Sequence, residues 1–244
     1  MSRRLLLLSN STLPGEPFLS WPAGAIRAFL GDTVQRALFV PFAGVRFTFD
    51  DYSARVRARF ADFGYALDSI HEQPDPVGAV QNADAIVVGG GNTFHLVAHL
   101  HQQGLVTAIA SRVLAGMPYV GWSAGANVAC PTLSTTNDMP IVEPASFAAL
   151  DLVPFQINPH FTDATIPNHG GETRSERIAE FVRANPARRV VGLPEGTGLR
   201  IEGEVVTLVG SGTVMLFQHG ALPQALDLAD LDALLAEPAS ATPG

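Results

Sequence analysis

Val120-Gly121-Trp122-Ser123-Ala124-Gly125 follows the apolar run from Met117 to Val120 and leads into further small residues. Gly-x-Ser-x-Gly between a strand and a helix is the pattern of a nucleophile elbow. There the chain turns so tightly that the central serine takes a strained conformation and its hydroxyl stands clear of the surface. Glycine at both flanking positions makes steric sense, because a side chain there would meet neighbouring backbone. The Ala124 N–H would then lie at a helix N-terminus and face a developing oxyanion. The same residues also describe a plain strand-to-helix turn with a serine N-cap. The rest of the chain has to decide between the two.

Working outward, short apolar runs alternate with helical patterns. Leu5 to Leu8 is a buried first strand, Ala25 to Leu30 is helical, and Ala37 to Phe42 is a second strand. Asp50 or Asp51 can cap a helix that runs to Phe63 and stops at Gly64, with Val56 and Phe60 facing inward. Tyr65 to Ile70 and Ala85 to Val88 are further strands, and helical pattern runs from Phe94 to Leu114 with a break at Gly104. Near-continuous hydrophobicity within each strand predicts a mostly parallel sheet flanked by helices on both faces. After about residue 186, Arg189 to Leu193, Gly198 to Ile201, Val205 to Val209 and Thr213 to Phe217 read as a hairpin-rich edge on the same sheet. Leu226 to Leu235 reads as a last amphipathic helix. The expectation is one α/β domain over residues 1–236, with 237–244 a flexible tail.

Hydrophobic residues are 47 % and charged residues 16 % of the chain, which supports a sizeable core. The formal net charge is -8 and no basic stripe is present, so nucleic acid is not expected as a partner. An acidic substrate would need a local cation. The single cysteine, Cys130, allows no intrachain disulfide and reads as a small buried residue. The apolar run at the N-terminus meets Ser9-Asn10-Ser11-Thr12 at once, too soon for a signal peptide, and no stretch has the length of a membrane span. A cytoplasmic protein is expected.

Ligands of open parallel sheets sit beyond the carboxyl ends of the strands. Gly89-Gly90-Gly91-Asn92 falls there, as does the elbow. The glycine run lacks the spacing of a nucleotide-binding fingerprint. It can instead supply, from Gly90 or Gly91, a second oxyanion donor beside Ala124. A serine nucleophile needs a base, and the base needs an orienting acid. His95 and His99 have the spacing of a metal pair but no evident third ligand, so no metal is expected. His160 lies just past the apolar run Leu152 to Phe155, where a base would be presented. Asp138 and Glu195 are both candidates for the acid, and spacing does not choose between them.

Gly89-Gly90-Gly91-Asn92-Thr93-Phe94, Gly121-Trp122-Ser123-Ala124-Gly125-Ala126, Asn158-Pro159-His160-Phe161 and Glu195-Gly196-Thr197 together resemble, in that order, the peptidase E family. These are α-aspartyl dipeptidases, within a group of serine peptidases that also contains cyanophycinase. The resemblance spans nearly the whole chain. It implies an α/β sandwich of the class I glutamine amidotransferase (flavodoxin-like) type. It also implies the chain order serine, histidine, glutamate, hence Ser123, His160 and Glu195 rather than Asp138. An α/β-hydrolase would run serine, acid, histidine. The substrates implied are dipeptides and some tripeptides with an N-terminal aspartate, cleaved through an aspartyl-enzyme without a cofactor. Arg174, in Glu172-Thr173-Arg174-Ser175-Glu176-Arg177, stands where the family places the arginine linked to recognition of the aspartate side chain. Its plain reading is a solvated helix start with nearby charge pairs.

Three rivals remain. One is a cyanophycinase-like peptidase acting on β-aspartyl links, and another is a general esterase. The third is a non-catalytic protein that holds a small anion or nucleotide on the same scaffold. A homodimer is possible through apolar positions on the late helices.

Overall fold

The computed structural model describes residues 3–165, 170–227, 231 and 233–236. In chain order the elements are β1 (Arg4–Leu8), α1 (Ala23–Leu30), β2 (Arg36–Val40), α2 (Phe49–Phe63), β3 (Ala66–Ser69), α3 (Pro76–Asn82), β4 (Ala85–Val88), α4 (Thr93–Gln102), α5 (Leu105–Leu114), β5 (Tyr119–Trp122) and α6 (Ala124–Asn127). They continue with β6 (Gln156–Pro159), α7 (Arg174–Ala184), β7 (Val190–Leu193), β8 (Thr197–Glu202), β9 (Val205–Gly210), β10 (Met215–Phe217) and β11 (Gln224–Ala225).

Seven strands form the main sheet in the order β3-β2-β4-β5-β1-β8-β9. The five from β3 to β1 are parallel, and β8 and β9 add on as an antiparallel edge. Alternation along each strand feeds two cores. Leu5, Leu7, Val40, Ile86, Val88 and Tyr119 pack on one face with α3, α4 and α5. Leu6, Leu8, Phe39, Val87, Val120 and Trp122 pack on the other with α1 and α2. Leu5 to Leu8 are fully buried, each worth about 2 kcal/mol in burial alone. Helices therefore cover both faces, as the continuous apolar runs imply. The helical stretch expected over 94–114 is two helices. Gly104, at φ 66°, takes the left-handed conformation that ends one turn and starts the next.

Two local expectations change. The cap of α2 is Thr48, whose Oγ1 accepts the Asp51 N–H at 3.0 Å. Asp50 and Asp51 already lie in the first turn, where their charge favours the helix end. The strand that presents His160 is Gln156–Pro159, whereas Leu152 to Phe155 is buried irregular chain.

The C-terminal strands also do not all extend the main sheet. A second sheet has the order β11-β10-β7-β6, with β6 and β7 parallel. Its own small core joins Phe161, Val190 and Phe217 to Ile178 and Val182 of α7. Those apolar residues of α7 thus face inward rather than toward a second subunit. The expected helix over 226–235 lies partly outside the described residues, and the tail over 237–244 lies wholly outside them.

Candidate active site

β1 and β5 end side by side, with Leu8 opposite Trp122. Ser123 is the next residue and has φ 54° and ψ -115°, a conformation rare for any residue other than glycine. Its N–H donates to the Leu8 carbonyl at 3.0 Å, which holds the turn in place. A Cβ on Gly121 would overlap the Gly125 carbonyl, and one on Gly125 would overlap the Val88 carbonyl. Both flanking glycines are therefore required by packing, and the elbow anticipated from the pentapeptide is formed.

In the second sheet Pro159 of β6 is in register with Leu193 of β7. Parallel pairing thus brings the residues just beyond these two strands together. His160, at φ 53°, and Glu195 meet there. The imidazole Nδ1 donates to Glu195 Oε1 at 2.8 Å, and Nε2 accepts from Ser123 Oγ at 2.9 Å. Only this tautomer satisfies all three groups. The His160 and Glu195 side chains are 39 % and 47 % exposed, so the pair is open to solvent and orients more than it stabilises.

Ser9 joins the two sheets. Its hydroxyl accepts the His160 backbone N–H at 2.9 Å and donates to the Leu193 carbonyl at 2.8 Å. Asn10 Oδ1 accepts the Gly196 N–H at 2.9 Å, beside Glu195. These two residues hold His160 and Glu195 in place, and sequence reasoning missed them. The signal was the polar run Ser9 to Thr12 placed directly after a fully buried strand, at the end of the sheet where ligands sit.

The glycine run lies at the crevice between β2 and β4, where the chain's crossovers change direction. Gly89 N–H donates to the Val40 carbonyl and Asn92 N–H to the Ala43 carbonyl. A Cβ on Gly90 would stand 2.9 Å from Ser123 Cβ, so this backbone lies against the elbow. The N–H groups of Gly90, Gly91 and Ala124 have no acceptor among the described residues.

Asp138 is engaged elsewhere. Its Oδ2 accepts from Thr93 N–H at 2.7 Å, Thr93 Oγ1 at 2.6 Å and Thr136 Oγ1 at 3.0 Å, at the N-terminus of α4. Asn92 Nδ2 donates to the Met139 carbonyl at 2.9 Å and Asn137 Nδ2 to the Pro159 carbonyl at 2.7 Å. The loop over 134–139 is therefore tied to the elements around it.

Arg174 opens α7. Thr173 caps that helix in a reciprocal box with Glu176, whose Oε2 accepts the Thr173 N–H at 2.6 Å. The Arg174 guanidinium reaches Asn158 Oδ1 at 3.4 Å and lines a cleft of about 290 Å³ with Thr135, Asn137, Asp138 and Asn158. Burial, and then the neighbouring Arg177, pull its pKa below the ordinary arginine value. It stays charged, and no carboxylate among the described residues is paired with it.

The three histidines of α4 are engaged in packing or hydrogen bonds. His95 Nδ1 donates to the Phe42 carbonyl at 2.6 Å, His99 stacks on Phe42, and His101 Nε2 donates to the Ala148 carbonyl at 2.8 Å. Cys130 is buried, and its sulfur accepts the Ile157 N–H at 3.1 Å. Among the described residues one group, Asp50, His71 and Glu72, brings metal-binding atom types together. There His71 is already bonded to Asp50, and Glu72 pairs with Arg57 at 2.8 Å. His169 lies outside the described residues. No described helix is long and apolar enough to cross a membrane.

Comparison with known proteins bears on the family and the fold. The model of peptidase family S51 matches residues 5–209. A peptidase E of Nostoc sp. is 54 % identical over 220 residues, covering 90 % of this chain and 91 % of the relative. A peptidase E of Escherichia coli is 48 % identical over 216 residues, covering 88 % and 94 %. Among solved structures, a candidate peptidase E of Listeria monocytogenes superposes with a TM-score of 0.66 at 20 % identity, covering 87 % of this chain and 100 % of that one. A peptidase from an acI-B1 actinobacterium gives 0.65 at 19 %, covering 92 % and 97 %. At such identities these two support the fold alone. The family match and the two close relatives over most of the length show more: the chain is a peptidase and belongs to peptidase family S51.

Proposed function

We propose that this peptidase is a serine dipeptidase that removes an N-terminal aspartate, with Ser123 as nucleophile, His160 as base and Glu195 as the acid that orients it. The observation that carries the reading is the continuous hydrogen-bonded line from Ser123 Oγ through His160 to Glu195, at 2.9 and 2.8 Å. Ser123 Oγ attacks the carbonyl carbon of the aspartyl residue while His160 Nε2 takes its proton. The oxyanion of the tetrahedral intermediate is held by the N–H of Ala124 and of Gly91 or Gly90, each donor being worth about 10²- to 10³-fold in rate. His160 then protonates the leaving amine, and the C–N bond breaks. Water attacks the resulting aspartyl ester with His160 again as base, and aspartate and enzyme are released. Glu195 keeps Nδ1 protonated and stabilises the imidazolium. No step calls on a cofactor.

Arg174 supports the choice of aspartate. A half-buried guanidinium with no carboxylate partner among the described residues, in a chain of net charge -8, suits a β-carboxylate bound through two parallel hydrogen bonds. All these groups come from one chain, so the chemistry needs no second subunit. A homodimer would use other surfaces, such as the exposed Met139, Ile141 and Phe147. A single buried free cysteine accords with a cytoplasmic location.

The test is a panel of dipeptides varied at the first residue, with wild type and Arg174→Met. Wild type should prefer α-Asp-Leu to Asn-Leu by about 10²-fold or more, the scale set by an unpaired buried charge, and Arg174→Met should erase the preference. Equal rates on both peptides by wild type would remove the aspartate reading. Faster cleavage of β-aspartyl peptides would turn it toward the cyanophycinase type.

A further inference from the structure

Tyr52, far from Ser123 in sequence, touches both the glycine run and the elbow. Its hydroxyl lies 3.1 Å from the Gly90 carbonyl and 3.1 Å from Trp122 Nε1. An indole nitrogen only donates, so the single phenolic proton goes to Gly90. Burial pushes the phenol well up in pKa, which favours the protonated form. The ring is held edge-on against Phe39 at 5.0 Å and Phe47 at 4.8 Å. Gly89 is the residue that admits it, since a Cβ there would lie 2.6 Å from the Tyr52 oxygen.

The consequence is geometric. No peptide bond among the described residues is cis, so the Gly90 C=O and the Gly91 N–H of one peptide unit point in opposite directions. A hydroxyl anchored on the carbonyl turns the Gly91 N–H away from Tyr52. Gly91, at φ 140°, is fixed from the other side by the Asn92 N–H on the Ala43 carbonyl. The same hydroxyl receives the indole of Trp122, the residue before the nucleophile. One oxygen atom therefore sets the spacing between the peptide that carries the Gly91 N–H and the strand end that carries Ser123.

We propose that Tyr52 is a positioning residue that fixes the Gly90–Gly91 peptide, so that the Gly91 N–H rather than that of Gly90 is the second oxyanion donor beside Ala124. This rests on the serine mechanism proposed above and names the donor that mechanism leaves open. A preorganised donor acts in the transition state and contributes little to substrate binding.

Tyr52→Phe keeps the ring and deletes the anchor. Its kcat on α-Asp-Leu should fall at least tenfold with KM within twofold of wild type. Binding of aspartate α-aldehyde, which forms a tetrahedral hemiacetal with a serine hydroxyl, should weaken by a similar factor. Inhibition by aspartate itself, which forms no such adduct, should stay within twofold. Val113→Ala, in the core under α5, controls for lost stability: assayed well below its Tm, it should keep wild-type kcat. Phe47→Ala removes a 43 % exposed ring that packs on Tyr52, so it folds even if Tyr52→Phe does not. It should lower kcat about threefold at unchanged KM, on the scale of a loosened donor. Unchanged kcat and aldehyde affinity in Tyr52→Phe and Phe47→Ala would overturn the proposal, as would a loss of kcat in Val113→Ala matching that in Tyr52→Phe. If the aldehyde binds Ser123→Ala as tightly as wild type, the serine reading fails and takes this one with it.

Discussion

Asp138 lies two residues before Pro140 and Glu195 lies between Pro194 and Gly196, and residue type alone does not tell a structural acid from one aimed at a histidine. The surroundings do. Asp138 accepts three hydrogen bonds at the start of α4, whereas Glu195 reaches His160 Nδ1 at 2.8 Å. The two substitutions should therefore fail in opposite ways. Glu195→Gln should lose about 10²-fold or more in kcat, because Nδ1 is no longer held protonated. Its Tm should scarcely move, since the pair is half exposed. Asp138→Asn turns an acceptor of three bonds into a poorer one and should cost about 1–3 kcal/mol. By thermal melting that is a Tm drop of several degrees, with kcat kept within a few-fold. The reverse pattern, activity lost in Asp138→Asn and kept in Glu195→Gln, would exchange their roles.

At the scale of elements, the elbow was readable because its glycines are fixed by backbone crowding within a few residues. The run of four buried leucines in β1 was readable for a similar local reason. The partition of the C-terminal strands was not. Pairing of β6 with β7 rather than with the main sheet is a long-range choice, and nothing in the local pattern of Arg189 to Leu193 encodes it. That pairing is what brings His160 beside Glu195. The start of α7 was legible as a solvated helix start with charge pairs, but its capping box was not. Glu176 lies below the usual carboxylate range because the Thr173 N–H, and then its hydroxyl, bond the charged form. A depressed pKa contributes stability above the unfolded value and loses it as pH falls through the folded one. Thr173→Ala should cost about 1 kcal/mol near neutral pH. The difference in Tm from wild type should shrink as the pH falls below the usual carboxylate range, where Glu176 protonates. A difference in Tm that persists undiminished in acid would mean that the box does not act through this carboxylate. Because Arg174 is the first residue of the helix, KM for α-Asp-Leu should also rise in Thr173→Ala.

Across the whole molecule, the site is assembled where two sheets meet. Ser123 and Ser9 come from the ends of adjacent strands of the main sheet, and His160 and Glu195 come from the ends of adjacent strands of the second. Ser9 bonds across that boundary to the backbone of His160 and Leu193. Ser9→Ala should leave a buried N–H unpaired, at a cost of about 1–3 kcal/mol. It should also lower kcat more than it raises KM, because the base is displaced relative to the nucleophile. A fall in Tm with wild-type kcat would show that the second sheet holds His160 without this link. The residues to which we assign the chemistry stood out because chemistry restricts residue type. Ser9, Asn10 and Tyr52, which hold them, are ordinary residues made important by contacts 38 to 186 positions away. The central claim, that Ser123 opens N-terminal aspartyl peptides with Arg174 reading the side chain, is tested most directly by the rates of α-Asp-Leu and Asn-Leu hydrolysis by wild type and Ser123→Ala. The account predicts fast cleavage of α-Asp-Leu alone, abolished in Ser123→Ala. Equal cleavage of the two peptides, or retained activity without the serine hydroxyl, would contradict it.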